Sequence, residues 1–141
     1  MWRTVFVLVV LMLFGCNENS SVEPADLHYL NGYWEISEVA FPDGTLKQYP
    51  VNTNIDFIYF EDNQGYRKKM QPRFDGSYET SNDLEDFTIS NVNDIITLHY
   101  TGELSEWEEK LTQLDSLSFS VVNEDGITYS YTRFEPIKIP K

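Results

Sequence analysis

Apolar residues alternate with polar ones from Tyr29 onward, and short turn sequences interrupt this period of two at regular intervals. A period of two places successive side chains on opposite faces of an extended chain, which is typical of β-strands with one buried face. The turns at 62–65, 91–94 and 123–126 contain Gly, Asn and Asp residues, which accept the positive φ values of tight hairpins. We therefore expect an antiparallel meander that closes into a barrel or packs as a sandwich.

About nine candidate strands lie between these turns, including a weak one at 46–49. The stretch 72–86 is the longest irregular one and is interpreted as a lid or a loop, with short strands expected at 77–80 and 87–90. A helical pattern is limited to one turn at 25–30. The fold class that follows is all-β, a small antiparallel up-and-down barrel of about eight strands.

Residues 1–15 have the features of a secretory signal peptide. Arg3 gives a positive start, residues 5–14 form an uninterrupted apolar run, and the small Gly15 precedes the chain's single cysteine, Cys16. The apolar run is too short to cross a bilayer as a helix, which needs about 20 residues. We therefore expect residues 1–15 to be removed on export.

The sequence Leu13-Phe14-Gly15-Cys16 resembles the lipobox of bacterial lipoproteins. The resemblance implies a diacylglyceryl group on the Cys16 thiol, cleavage before Cys16, and an acyl chain such as palmitate on the new amine. Several acyl chains anchor a protein stably, whereas one chain holds it only marginally. Residues 16–26 would then be the lipidated cysteine and a flexible tether, and Asn17, which differs from the Asp of an inner-membrane retention signal, favours the outer membrane. The alternative is an ordinary secretion signal with an incidental cysteine.

Composition argues against several function classes. The formal net charge of −13 repels phosphate backbones and anionic membrane surfaces, so no nucleic-acid partner is expected. A single cysteine cannot form an internal disulfide or a multi-cysteine metal site, and His28 and His99 lack ligand spacing. No nucleophile elbow, phosphate-binding loop or marked acid–base pair occurs. We expect no metal, no cofactor and no enzyme activity.

Two short motifs at the ends of the predicted barrel resemble those of lipocalin-like domains. Leu30, Gly32 and Trp34 read L-x-G-x-W at the first strand, and Tyr129-x-Tyr131-x-Arg133 lies in the last strand. The combination is also similar to the small lipocalin-like lipoproteins of Bacteroidetes-type bacteria. The resemblance implies a barrel over residues 27–136, a tail at 137–141, and a base in which Arg133 packs on Trp34.

A ligand site is expected inside such a barrel. If Trp34 faces inward, a period of two also turns Ile36 and Glu38 inward, and an inward Arg133 does the same for the tyrosines of its strand. Glu38 would then be the polar anchor of a small hydrophobic or amphipathic ligand near the barrel mouth. The candidate ligand-lining residues are Ile36, Glu38, Phe119, Tyr129 and Tyr131.

A filled barrel is the alternative, because eight-stranded barrels can be packed by their own side chains. The chain would then be a structural or protein-interaction lipoprotein that acts through its acidic surface. The one basic patch, residues 67–69 with Arg73, is interpreted as a solvated strand edge that blocks aggregation, or as a site for an acidic partner.

Overall fold

Residues 22–136 are the part of the chain that the computed structural model describes, and they form one antiparallel sheet preceded by a short 3-10 helix, Pro24–Leu30. Cys16, the predicted signal peptide and the tail 137–141 lie outside the described residues. The helix begins within the segment assigned to the tether. The strands are β1 (Gly32–Ala40), β2 (Leu46–Gln48), β3 (Ile55–Glu61), β4 (Gln64–Pro72), β5 (Tyr78–Val92), β6 (Ile95–Thr101), β7 (Glu106–Leu114), β8 (Ser118–Asn123) and β9 (Thr128–Arg133).

The sheet closes on itself. From β3 to β9 each strand pairs with the next, β1 pairs with β3, and β9 returns to pair with β1. Eight strands therefore form a closed up-and-down barrel, and β2 is an extra strand on the second half of β1. This arrangement confirms the predicted all-β barrel.

Two hairpin turns have the backbone that the sequence predicts. Asp62 and Asn63, between β3 and β4, have φ values of 50° and 61°, and Asn93 and Asp94, between β5 and β6, have values of 52° and 63°. Two consecutive positive φ values are the signature of the type I′ turn, whose twist matches that of the flanking strands. These turns set the registers β3–β4 and β5–β6 without a break.

The stretch 72–86 is neither a lid nor an irregular loop. It contains the end of β4, a turn, and the first half of β5, which runs without interruption through both of the short strands expected there. A β-bulge shifts the β4–β5 register between Lys68 and Met70. The polar residues of β5 near this bulge lack the apolar alternation that marks the other strands, which hid the strand in the sequence.

The hydrophobic core fills one end of the barrel. We call this end the base; it is where β1 begins, β9 ends and the 3-10 helix packs. Leu27 and Leu30 of the helix lie in the same buried cluster as Trp34. The opposite end, which holds the turn between β8 and β9, is called the mouth. No helix within the described residues is long and apolar enough to span a bilayer.

Candidate functional site

The barrel base is built around Trp34, whose side chain is 0% exposed. Its indole Nε1 donates a hydrogen bond of 2.8 Å to the carbonyl of Leu30. The Cζ atom of Arg133 lies 3.7 Å from the centroid of the indole ring, which is a cation–π contact. The first and last strands are thus joined by a pair of side chains as well as by backbone pairing.

Arg133 also holds the segment that enters the barrel. Nη1 donates to the carbonyl of Asn31 at 2.7 Å, Nη2 to that of Tyr29 at 2.8 Å, and Nε to that of Ser116 at 3.1 Å. Gly32 has a φ of +123°, and a Cβ atom there would lie 2.6 Å from Arg133 Nη1. Gly32, Trp34 and Arg133 therefore form one packed structural unit, with each guanidinium nitrogen engaged by a backbone carbonyl.

Glu38 lies away from the barrel interior. The β1–β9 register shifts between Ile36, opposite Tyr131, and Glu38, opposite Ser130, so that one extra residue of β1 forms a bulge. The bulge reverses the alternation, and Val39, 5% exposed, takes the inward position. The Glu38 carboxylate accepts a hydrogen bond from the Gln48 side chain of β2 on the exposed face. The expectation of an inward Glu38 is therefore corrected.

The other candidate lining residues divide into two groups. Phe119 belongs to the core, edge-on to Trp34 with ring centroids 4.7 Å apart, and Ile36 packs against that core. Tyr131 is stacked on Phe119 at 4.6 Å, and together with Tyr129 it borders a recess at the mouth.

The recess has a volume of about 360 Å³. Inward side chains of β4, β7 and β9 form its floor and walls, and the turn 123–125 forms part of its rim. The barrel is thus packed at the base, and an open recess lies at its mouth. The residues that define the recess are Arg67, Trp107, Glu109, Tyr129 and Tyr131.

Arg67 is inside the barrel rather than on a solvated edge. Its Nε and Nη2 atoms both donate to Glu85 Oε2 at 2.8 Å, and its Cζ lies 4.7 Å from the centroid of the Tyr100 ring. Burial opposes the charge of the guanidinium, but the nearby Tyr100, Tyr131 and Glu109 raise the pKa of Arg67 above its ordinary value. Arg67 is therefore a fixed cation. The basic-patch interpretation holds better for Arg73, which is exposed and pairs with Glu79.

Glu109 is the second buried charge of the recess and is 7% exposed. Its Oε2 lies 3.9 Å from Arg67 Nη1, which is too long for a direct hydrogen bond. Burial raises the pKa of the Glu109 carboxyl, while Arg67 and the Trp107 side chain lower it in part. No separate signal marks Glu109 in the sequence, since it lies in the acidic run 103–109 that is typical of a solvated face.

A cavity larger than the recess lies outside the barrel. A groove of about 660 Å³ separates the turn after β4 from residues 51–53 and from Phe134. Its walls include Val51 and Phe74, which are 84% and 83% exposed. The groove is mainly lined by loop residues, whereas strand residues, two of them buried charges, form most of the lining of the recess.

Metal-binding geometry does not occur in the described part of the chain. Among residues 22–136, no group of three or more His, Cys, Asp and Glu side chains is placed to hold an ion. His99 bonds instead to Ser90 through Nε2 at 2.8 Å and to Glu108 through Nδ1 at 2.9 Å.

Comparison with known proteins agrees with the barrel. The family model described as a lipocalin-like domain matches residues 30–135. The chain is also similar to the crystal structure of an uncharacterized protein from Bacteroides eggerthii DSM 20697, with 16% sequence identity and a TM-score of 0.47. That similarity covers 74% of this chain and 99% of the other. No curated protein sequence matches this chain.

The closed up-and-down barrel and its packed base are typical of a lipocalin-like protein. The family match spans most of its length, and the chain belongs to the lipocalin-like domain family.

Proposed function

We propose that this protein is a lipid-anchored binding protein of the bacterial cell envelope, which holds a small amphipathic molecule in the mouth of its barrel. The observation that carries the proposal is the recess of about 360 Å³ above a packed core. Pockets for small molecules have volumes of about 300–1,000 Å³. A recess near the lower limit selects a small molecule rather than a long lipid chain.

The walls of the recess suit an amphipathic molecule. Trp107 and Tyr129 supply aromatic surface. The carboxylate of Glu109 supplies an acceptor in the recess, and its Oε2 lies 3.9 Å from Arg67 Nη1. A polar group of the ligand that lies beside Glu109 Oε2 would donate a hydrogen bond to this carboxylate.

The sequence features of residues 1–16 support the anchor. A lipid on Cys16 would tether the barrel to a membrane, and Asn17 favours the outer membrane of a cell envelope. Because the binding recess belongs to strands of a closed barrel, its geometry would be independent of the tether.

Native mass spectrometry of the chain from Asn17 to Lys141 tests this function. The protein is incubated with an envelope extract of its own host, and its mass is measured before and after denaturation. The proposal predicts a reproducible mass excess that denaturation removes. Trp107→Ala should lose the excess, whereas Tyr59→Ala, which removes a ring from the outside of β3, should keep it.

A protein-interaction role is the second candidate, and one observation favours it. An apolar surface borders the outer groove and includes the exposed side chains of Phe74 and Val51. Exposed apolar surfaces of this kind often contact partner proteins. Two results together would favour this role over ligand binding. The protein would show no removable mass excess, and Phe74→Ser would prevent co-purification of an envelope protein.

A further inference from the structure

We infer that the molecule held in the mouth is a cation, a small amine with an apolar body, and that Glu109 is its counter-ion. This inference rests on the proposed function and names the chemical class of its ligand. Three independent features of the recess carry it: the balance of charge, the incomplete pairing of Glu109, and the aromatic walls.

The charge balance of the recess is negative. Four carboxylates border it, against one guanidinium. That guanidinium is already neutralised by Glu85, to which Arg67 makes two contacts of 2.8 Å. Charges of one sign around a low-dielectric cleft attract ions of the opposite sign and repel like charges. The recess therefore disfavours fatty acids and other anionic amphiphiles. The four carboxylates belong to Glu108, Glu109, Glu124 and Asp125.

Glu109 has room for a cationic partner. Its side chain is 9% exposed, and its contact with Arg67 is longer by more than 1 Å than the contacts that Arg67 makes with Glu85. The Trp107 side chain is a hydrogen-bond donor to this carboxylate, but burial remains costly because Glu109 has lost its water without gaining a short ion pair. An ammonium group in the recess would supply a short, charge-assisted hydrogen bond to this carboxylate.

The aromatic walls also suit a cation. Trp107 lines the recess and is stacked on Tyr100, with ring centroids 5.0 Å apart and an angle of 8° between the planes. Tyr129 lies in another wall of the same recess. The faces of indole and phenol rings attract ammonium groups, most strongly where water is excluded. The same rings pack well against an apolar ligand body.

Isothermal titration calorimetry with three matched probes tests the charge of the ligand. The probes are 2-phenylethylamine, which is cationic at pH 7, its neutral analogue 2-phenylethanol, and the anionic 3-phenylpropionate. The chain from Asn17 to Lys141 should bind the amine about ten-fold or more tightly than either analogue.

Two matched variants separate Glu109 from general electrostatics. Glu109→Gln should weaken amine binding about ten-fold and weaken 2-phenylethanol binding by much less, because the alcohol loses a hydrogen bond but no ion pair. Glu35→Gln removes the same charge from the outer face of β1 and should leave the affinities for all three probes unchanged.

The outcomes distinguish this inference from the proposed function. Equal or tighter binding of the alcohol or the carboxylate would overturn the cationic ligand but leave a binding barrel. Failure of all three probes, in a protein that shows the removable mass excess, would also overturn the inference and leave the function. Failure of the probes together with the absence of a mass excess would overturn both.

Discussion

The guanidinium of Arg133 covers the indole of Trp34, with Cζ 3.7 Å from the ring centroid, and so joins the last strand of the barrel to the first. The same guanidinium donates to the carbonyls of Tyr29 and Asn31, which lead into β1. The contact therefore fixes both the closure of the sheet and the position of the helix that covers the base.

Replacement of Trp34 by alanine tests the role of this base. The side chain is fully buried and is surrounded by Leu30, Phe119 and Arg133. Trp34→Ala should lower the free energy of unfolding by about 3–5 kcal/mol, as expected for deletion of a buried aromatic ring. Urea denaturation followed by circular dichroism measures it. A loss below about 1 kcal/mol would contradict the assignment of Trp34 to the core.

Gly32 tests the close approach of Arg133. Gly32→Ala combines the strain of a positive φ with a Cβ atom 2.6 Å from Arg133 Nη1. Gly44 has a φ of +89° and open space around its Cα, so Gly44→Ala carries the strain alone. The strain costs about 1–3 kcal/mol, and Gly32→Ala should cost clearly more than Gly44→Ala in thermal or urea unfolding. Equal losses would mean that the base accommodates the methyl group freely.

The strands and tight turns could be predicted from sequence because their signals are local. Alternation over a few residues and the dipeptides Asp62-Asn63 and Asn93-Asp94 each specify a piece of backbone without reference to distant residues. The motifs around Trp34 and Arg133 mark the two strands that close the barrel. The bulge in β1 has no such local signal, because it is defined by pairing with β9. The prediction extended a period of two across the bulge and therefore wrongly placed Glu38 on the inner face.

A pair of neighbouring substitutions tests the bulge. Val39→Ala should lower the free energy of unfolding by about 1–3 kcal/mol, since Val39 is the buried residue. Glu38→Ala should change it by less than about 0.5 kcal/mol, since the Glu38 carboxylate bonds to Gln48 on the outer face and is not part of the core. Chemical denaturation of both variants measures the difference. The reverse order would restore the unbroken alternation and make Glu38 an interior residue.

The burial of Arg67 and Glu109 also could not be predicted from the sequence. Arg67 stands beside two lysines, and Glu109 stands in an acidic run, so each looks like a member of a solvated surface. Their burial depends on which face of β4 and β7 turns inward, and on Glu85 from a third strand that completes the network. Only the closed sheet brings these three residues together.

Glu109 makes stability depend on pH. Burial raises the pKa of its carboxyl in the folded state, and the charged groups near it are Arg67, which lowers the pKa, and Glu85 and Asp56, which raise it. The folded protein therefore binds this proton more tightly than the unfolded chain, and ionisation of Glu109 costs stability as the pH rises from about 4 through the folded pKa. Glu109→Gln should raise the melting temperature at neutral pH, with the gain vanishing toward pH 4.

The control for this prediction is Glu35→Gln, which removes an equal charge from the outer face of β1. The quantity to compare is the change in melting temperature between pH 4 and pH 7.5 for the two variants. A larger gain for Glu35→Gln at neutral pH would show that net charge, rather than the burial of Glu109, sets the effect. A buried carboxylate that lowers the stability of the ligand-free protein is typical of a residue kept for binding rather than for stability.

The most direct measurement is a crystal structure of the protein purified from the envelope of its own host, with its bound molecule retained. We expect electron density for a small molecule in the recess at the mouth, with a polar atom within hydrogen-bond distance of Glu109 Oε2 and an apolar part against Trp107 and Tyr129. A recess that contains only water, with the bound molecule located in the groove beside Phe74, would contradict the account.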